Sequence, residues 1–319
     1  PPALFVAGHF TCIGGVPAVC IARWNGTTWS AVGGGVNDYV NVLHVHDDGA
    51  GPKLYAGGWF TQAGGVSVKR IARWNGTTWS AVGVGVDMAV WAMDSFNDGT
   101  GNALYVAGAS LVFGTPDVAK WNGSAWSAVG TGLSGGYPVD LAVFNGSLHA
   151  CGGFVTAGGN TLNYIARWNG SSWVSLQNGL SGGTPSTTAN TMFVHKDGSG
   201  NKLYVGGRFN SASGVTTSGI ARWTGSAWQA VGGSGIGPDG TTVLTLLAHN
   251  DGSGNVLYAG GNFQTMNEIS ALRIAKWNGA AWSTLGTGFD QWVRSLATYN
   301  SSLIFGGVFD TVNRLPAHD

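Results

Sequence analysis

The stretch IARWNGTTWSAVG, Ile21 to Gly33, returns letter for letter at Ile71 to Gly83, and looser copies follow along the rest of the chain. Aligned on its two tryptophans it gives Trp24/Trp29, Trp74/Trp79, Trp121/Trp126, Trp168/Trp173, Trp223/Trp228 and Trp277/Trp282, with 47 to 55 residues between successive copies. Between these pairs lies a second motif, found seven times: LFVAGHF from Leu4, LYAGGWF from Leu54, LYVAGAS from Leu104, LHACGGF from Leu148, LYVGGRF from Leu203, LYAGGNF from Leu257 and LIFGGVF from Leu303. A period of this length marks one supersecondary unit that cannot bury its own faces and must stack on its neighbours.

Each unit reads as four strands, a to d. Strand a is an apolar run such as VNVLHVH (Val40 to His46), and a Gly/Asp turn such as DDGAG reverses it into strand b, LYAGG. A loop of about ten residues then leads to strand c, RIARW, and an Asn-Gly turn to strand d, TWSAV. Asn-Gly is the dipeptide best suited to a type I′ hairpin, in which both residues take positive φ; five of the six c-to-d turns carry it and Thr224-Gly225 replaces it in the fifth. The pattern predicts an all-β chain, one β-propeller of four-stranded antiparallel blades over residues 1–319. Counting strands gives seven b but six of each other kind. The expectation is a six-bladed ring closed by the last strand a, Ser295 to Tyr299, joining the first b, c and d; seven blades is the alternative. The ragged phase fits a fragment of a longer chain.

Composition narrows the function. Glycine is 55 of 319 residues, charged residues are only 9%, and 15 basic and 15 acidic side chains cancel. No long-range field is available to steer nucleic acid or an anionic membrane. No apolar run is long enough for a membrane-spanning helix, and the opening residues PPALFVAGHF have no signal-peptide pattern, so a secreted chain would have lost its signal ahead of residue 1. Cys12 and Cys20, eight apart in one loop, are a candidate disulfide, while Cys151 stands where most units have glycine and reads as a buried small hydrophobe.

The order apolar strand, strand ending in di-glycine, strand ending in an aromatic, then Trp resembles the kelch repeat. The LYxGGxF and IARWNG units are similar to the propeller repeats of the fungal cortical cell-polarity marker family and of large secreted bacterial surface proteins. The c-to-d turn is shorter than the usual kelch connection. This resemblance covers the whole chain and implies a propeller at the cell surface or outside it; it says little about ligands.

Shared positions are expected to be scaffold. The Trp pairs account for twelve of fifteen tryptophans and suit the packing of blade on blade. The basic residue before the first Trp (Arg23, Arg73, Lys120, Arg167, Arg222, Lys276) is expected to cover an aromatic ring or bond a carbonyl. Ligand contacts are better sought where units differ. The residue after the di-glycine is His9, Trp59, Ala109, Gly153, Arg208, Asn262 or Val308. The d-to-a connections carry Asn37, Asp38, Asp87, Ser134, Ser181, Asp239 and Asp290 beside Tyr39, Trp91, Tyr137 and Trp292. From these sets His9, Trp59, Arg208, Asn262, Asp87, Trp91, Asp290 and Trp292 are the candidate ligand-binding residues, and the d-to-a connections are expected to reach the ring's central mouth and form an acidic, aromatic-lined entrance of the kind that takes sugars. The plainer reading of the Asn, Asp and Ser side chains is that they cap turns.

Strand a ends in His46, Phe96, Phe144, His195, His249 or Tyr299, and the three histidines come from different units and should not converge on a metal. The DGSGN-type turns offer too few carboxylates for calcium. A single glutamate, Glu268, and the lack of a nucleophile elbow or phosphate loop leave no visible reaction centre, and no cofactor is implied. NGT at Asn25 and Asn75, NGS at Asn122, Asn145 and Asn169, and NSS at Asn300 match glycosylation acceptors, although turn geometry accounts for most of them. The expected function is a non-catalytic extracellular or cell-surface propeller that binds protein partners or builds an assembly, with a carbohydrate-binding propeller as the alternative and a hydrolase or oxidase behind both.

Overall fold

The computed structural model describes residues 3–110, 117–183, 186–233, 235–236, 241–252, 254–313 and 315–316. Among them the main strands form seven successive antiparallel sheets. Sheet 1 holds Leu4–Ala7, Ile21–Trp24 and Trp29–Ala31. Sheet 2 holds Val40–Asp47, Pro52–Gly58, Ile71–Trp74 and Trp79–Ala81. Sheet 3 holds Met88–Asn97, Asn102–Ser110, Val118–Trp121 and Trp126–Ala128. Sheet 4 holds Pro138–Phe144, Ser147–Gly152, Ile165–Trp168 and Trp173–Ser175. Sheet 5 holds Thr188–Lys196, Asn201–Arg208, Ile220–Trp223 and Trp228–Ala230. Sheet 6 holds Val243–Asn250, Asn255–Gly261, Ile274–Trp277 and Trp282–Thr284. Sheet 7 holds Val293–Tyr299 and Ser302–Gly307. Sheets 2 to 6 run a-b-c-d, as the sequence pattern predicts.

The expected sharing of a blade between the chain's two ends is not formed. The last strand a, Val293–Tyr299, pairs with Ser302–Gly307 of its own unit, and Leu4–Ala7 pairs with Ile21–Trp24. The physical reason is a two-residue turn, Asn300-Ser301, with both residues at positive φ, which brings the local b strand against strand a at far less loop-closure cost than joining the chain's two ends.

The c-to-d turn also differs from expectation. Only its glycine takes positive φ (Gly26 at 105°, Gly76 at 104°), and the tryptophans pair across four turn residues. Asn25 Oδ1 accepts the backbone N–H groups of Thr27 and Thr28, each at 2.9 Å, so the asparagine works as a side-chain cap rather than as a left-handed residue. The hydroxyl of Thr224 serves the same turn, accepting from the backbone N–H of Ala227. Turns with two successive positive φ lie instead in two a-to-b turns, Asn145-Gly146 and Asn300-Ser301, and in the b-to-c loop, which holds a short hairpin across Gly14-Gly15, Gly64-Gly65, Gly158-Gly159, Ser213-Gly214 and Asn267-Glu268.

Neighbouring sheets stack through six apolar clusters, one per seam. At five seams the second tryptophan of one sheet donates its indole N–H to a carbonyl at the end of the preceding sheet's strand d. These bonds run from Trp79 to Val32, Trp126 to Val82, Trp173 to Val129, Trp228 to Leu176 and Trp282 to Val231, at 2.8 to 3.2 Å. The tryptophans are structural seams, as their periodicity implies.

The second glycine of the di-glycine motif has one cause. A Cβ at Gly58, Gly108, Gly152, Gly207, Gly261 or Gly307 would run into the backbone carbonyl oxygen at the start of strand a. The first position meets side chains instead, and the chain there accepts Ala107 and Cys151. The Cys12–Cys20 bridge is not formed: both thiols are free. Cys20, at φ 61°, turns into the cluster between sheets 1 and 2, while Cys12 stays exposed on the short hairpin.

Candidate functional site

The d-to-a and b-to-c connections emerge from the same end of every antiparallel sheet, and the structure collects the predicted ligand residues there. His9 is exposed and stacks on Tyr39 with ring centroids 4.0 Å apart and an interplanar angle of 13°. Trp59 follows on sheet 2: its N–H donates to the carbonyl of Tyr39 at 2.9 Å, its own carbonyl accepts from Arg70, and that guanidinium lies 6.0 Å from the indole centroid. Trp91, the bulged residue of strand a in sheet 3, stacks on Tyr137 at 6.0 Å and 20°. Trp292 is exposed, with the guanidinium of Arg294 5.4 Å from its ring.

The polar candidates are mostly occupied by the scaffold. Asn262 Oδ1 accepts the N–H of Thr242 at 2.8 Å. Asn37 and Asp290 each accept two backbone N–H groups of the following b-to-c hairpin, Thr61 and Gln62 for the first, Asp310 and Thr311 for the second. The N–H of Thr311 leads in holding the Asp290 carboxyl below the usual carboxylate range. These caps reach the neighbouring hairpin rather than their own turn. Asp87 pairs with Lys69 at 2.5 Å on the surface. Arg208 is half-buried, and its Nε is buried without a partner among the described residues. Asp239 lies outside the described residues. Asn262 and Asp290 chiefly hold loops, which leaves the rings of His9, Tyr39, Trp59, Trp91, Tyr137 and Trp292 as the candidate contact groups at this end.

Exposure points to the same end. Of the nine exposed large hydrophobic residues among those described, Val19, Tyr39, Val66, Val84, Tyr137, Leu272, Trp292 and Val308 all belong to d-to-a or b-to-c connections; the ninth, Val45, is on strand a. The glycosylation-like asparagines occupy the opposite end. Asn25, Asn75, Asn122 and Asn169 sit in c-to-d turns, Asn145 and Asn300 in a-to-b turns, and all are exposed.

That opposite end has its own chemistry, which is structural. In four of the six units the basic residue before the first Trp reaches an aspartate in the a-to-b turn, correcting there the expected carbonyl or ring contact. Arg73 meets Asp48, Lys120 meets Asp98 and Lys276 meets Asp251, each at 2.6 Å, and Arg222 meets Asp197. Lys120 alone also approaches a ring, that of Tyr105 at 5.9 Å. The strand-b tyrosine completes each set by donating to the same aspartate, from Tyr55, Tyr105, Tyr204 and Tyr258. Burial alone would raise the Asp197 carboxyl, but bonds from Ser199 and Tyr204 and the charge of Arg222 hold it at about 2. The fixed spacing Asp-x6-Tyr, repeated four times, carried this signal in the sequence.

The aromatic or histidine ending strand a packs against the facing ring of strand b, as in His46 with Tyr55 at 5.7 Å and His195 with Tyr204 at 5.7 Å. Among the described residues no three His, Cys, Asp or Glu side chains gather to hold a metal. On the inner strands, His44 Nε2 and His46 Nδ1 both lie 2.8 Å from Ser95 Oγ of the next sheet. Asp94 accepts the N–H of Val143 at 3.1 Å and Asp140 that of Met192 at 2.6 Å, so each acid satisfies an open backbone donor one sheet further on.

Among known families, a model described as a β-propeller domain of unknown function (DUF5122) matches residues 53–76, which run from strand b through strand c of sheet 2. No curated protein matches the chain. Together with the repeated four-stranded antiparallel sheets, that match makes the chain a β-propeller repeat protein.

Proposed function

We propose that this chain is a non-catalytic binding module of an extracellular or cell-surface assembly, docking a protein partner on the end formed by its d-to-a and b-to-c connections. One observation carries the reading: among the described residues, eight of the nine exposed large hydrophobic ones lie on those connections. Apolar side chains gathered on one face mark an interaction surface, and the mixture of Val and Leu with Tyr, Trp and Arg matches the anchors of protein interfaces better than a sugar site. Acceptor-like asparagines at the opposite end would leave this face clear if they were modified. A second reading, glycan binding by the kelch-like propeller, is favoured specifically by the exposed indole of Trp292 and the half-exposed one of Trp59.

The same reading gives the sheets seven positions round one ring. A Cβ placed on Gly26, in the c-to-d turn of sheet 1, would lie 3.1 Å from the hydroxyl of Tyr299, at the a-to-b turn of sheet 7. The equivalent glycine of sheet 3, Gly123, lies against Asp48 of sheet 2, and Gly225 of sheet 5 lies against Asn145 of sheet 4. These parallels support placing sheet 1 after sheet 7, and among the described residues the exposed hydrophobics fall on every sheet but the fifth.

Cross-linking capture from the native extracellular fraction tests the docking face. A protein captured by wild type should be lost with Tyr39→Ser/Trp59→Ser/Trp292→Ser and retained with Thr27→Asp/Thr77→Asp/Ser171→Asp at the other end. The reverse pattern sinks the proposal, and glycan-array binding without protein capture moves it to the second reading. Spin labels at Thr27 and Asn300 as close together as labels at Ser124 and Gly49 would support the seven-position ring.

A further inference from the structure

Where sheets 3 and 4 meet, the seam opens into a cleft of about 220 Å³ lined by Thr131, Ala157, Gly158, Asn160, Ser171, Ser172 and Trp173. It is walled by the b-to-c hairpin tip and the c-to-d turn of sheet 4 and by Thr131 after strand d of sheet 3, and it contains none of the exposed large hydrophobic residues assigned to the docking surface. The tip of the b-to-c hairpin accounts for it. In sheets 5 and 7 the first turn residue sends a side chain across the seam: Ser213 Oγ accepts the N–H of Asn178 at 2.9 Å, and Asn313 Oδ1 that of Thr287 at 2.9 Å. In sheet 6, Asn267 Oδ1 fills the space in front of Gly233. Sheet 4 has Gly158 at this position, at the same backbone angle (φ 54°, against 50°, 50° and 52° for Ser213, Asn267 and Asn313), and nothing crosses to Thr131, the counterpart of Asn178 and Thr287. Gly64 of sheet 2 lacks a side chain too, but there the backbone of Gly33 closes in.

The cleft's chemistry is uniform. Hydroxyls come from Thr131, Ser171 and Ser172 and an amide from Asn160, with the edge of the Trp173 indole as the apolar wall and no charged group among the lining residues. The side chains of Thr131 and Asn160 make no hydrogen bond to any described residue, while Ser171 Oγ and Ser172 Oγ donate to Asn169 Oδ1 at 3.0 and 3.5 Å. Unused neutral donors and acceptors around a concave site beside an aromatic edge suit a ligand that is itself neutral and rich in hydroxyls. We propose that this cleft binds a single sugar ring or an equivalent small polyol, which would bridge Thr131 to Asn160 and Ser172 as the side chains of Ser213 and Asn313 bridge their seams.

The test is saturation-transfer NMR of the full chain with glucose, galactose, mannose, fucose and N-acetylglucosamine, one at a time. At least one sugar should receive transfer from the wild type, and Gly158→Asn, which copies Asn267 at a φ asparagine already adopts in this fold, should weaken its binding about tenfold or more. Ser172→Val removes a lining hydroxyl without altering the backbone and should weaken the same sugar, which keeps the test decisive if Gly158→Asn folds poorly. The inference is overturned if no sugar in the panel receives transfer, or if transfer survives in both variants. Its outcome is independent of the docking face, because Tyr39→Ser/Trp59→Ser/Trp292→Ser should leave the sugar signal unchanged.

Discussion

Asp140 should make the stability of the chain depend on pH with a sign opposite to that of an ordinary surface carboxylate. Burial pushes this acid up to about 7 against the pull of the Met192 and Leu141 N–H groups, and the neighbouring charge of Asp94 adds to the rise. A group whose folded-state pKa is raised holds a proton in the folded chain that the unfolded chain has released. Its stabilisation is therefore complete below the ordinary carboxylate range near 4 and is lost as pH climbs through about 7. At roughly 1.4 kcal/mol per pKa unit, the displacement corresponds to at most about 4 kcal/mol, and partial solvent contact leaves about 2 kcal/mol between pH 5 and pH 8. Asp140→Asn removes the titration. It also surrenders one of two acceptors, a cost of about 1 to 2 kcal/mol that does not vary with pH. His44 and His149, both depressed to about 4 by burial, titrate in the opposite sense but in both proteins, so they cancel in the difference. Urea unfolding of wild type and variant at pH 5 and pH 8 should show the variant gaining about 2 kcal/mol relative to wild type at the higher pH. A gap that stays constant over that range would refute the assigned ionisation.

Four further outcomes follow from the seams and turns. Trp173→Phe removes a 3.2 Å bond to Val129 from a ring only 2% exposed and should cost about 2 to 3 kcal/mol in urea unfolding, whereas Trp29→Phe, on a half-exposed ring, should cost under about 1. Asp197→Asn strands the partly buried Arg222 and should cost about 3 kcal/mol at neutral pH. Because that carboxyl sits at about 2, its contribution is present above the ordinary carboxylate range and disappears as pH falls through about 2, so acid unfolding of the variant should be the shallower. Gly58→Ala should destabilise by more than about 3 kcal/mol through the Tyr39 carbonyl, while Gly57→Ala, against the movable side chains of Val90 and Met93, should cost about 1 to 2 by thermal melting.

The fold was legible because the units agree: period, di-glycine and Trp pairs each report one backbone arrangement, and the five complete sheets have the strand order that pattern implies. Local turn geometry was less legible. Asn25 can serve a two-residue turn through its backbone or a four-residue turn through its side chain, and only the Trp24 to Trp29 register distinguishes the two. Hairpins inside the b-to-c loops went unread because strands of two residues leave no periodicity. At the candidate face, the aromatic residues His9, Trp59, Trp91 and Trp292 were found by their variability and do lie on one end. Asn262 and Asp290 were found by the same rule, but their oxygens hold backbone N–H groups that no linear pattern reveals. The cleft beside Trp173 was hidden for a related reason, since Gly158 looks like one more turn glycine until its sisters' side chains are seen crossing the seam.

The indole bond from one sheet to the strand-d carbonyl of the sheet before it has the same donor and the same kind of acceptor at five seams. A backbone carbonyl carries no side-chain identity, so this bond asks for no matching substitution in the neighbouring unit, unlike the contact of His44 and His46 with Ser95. Gene duplication or unequal crossing-over can then insert or delete whole units without breaking this bond, and the verbatim copy shared by Ile21 to Gly33 and Ile71 to Gly83 is what such an exchange would leave behind.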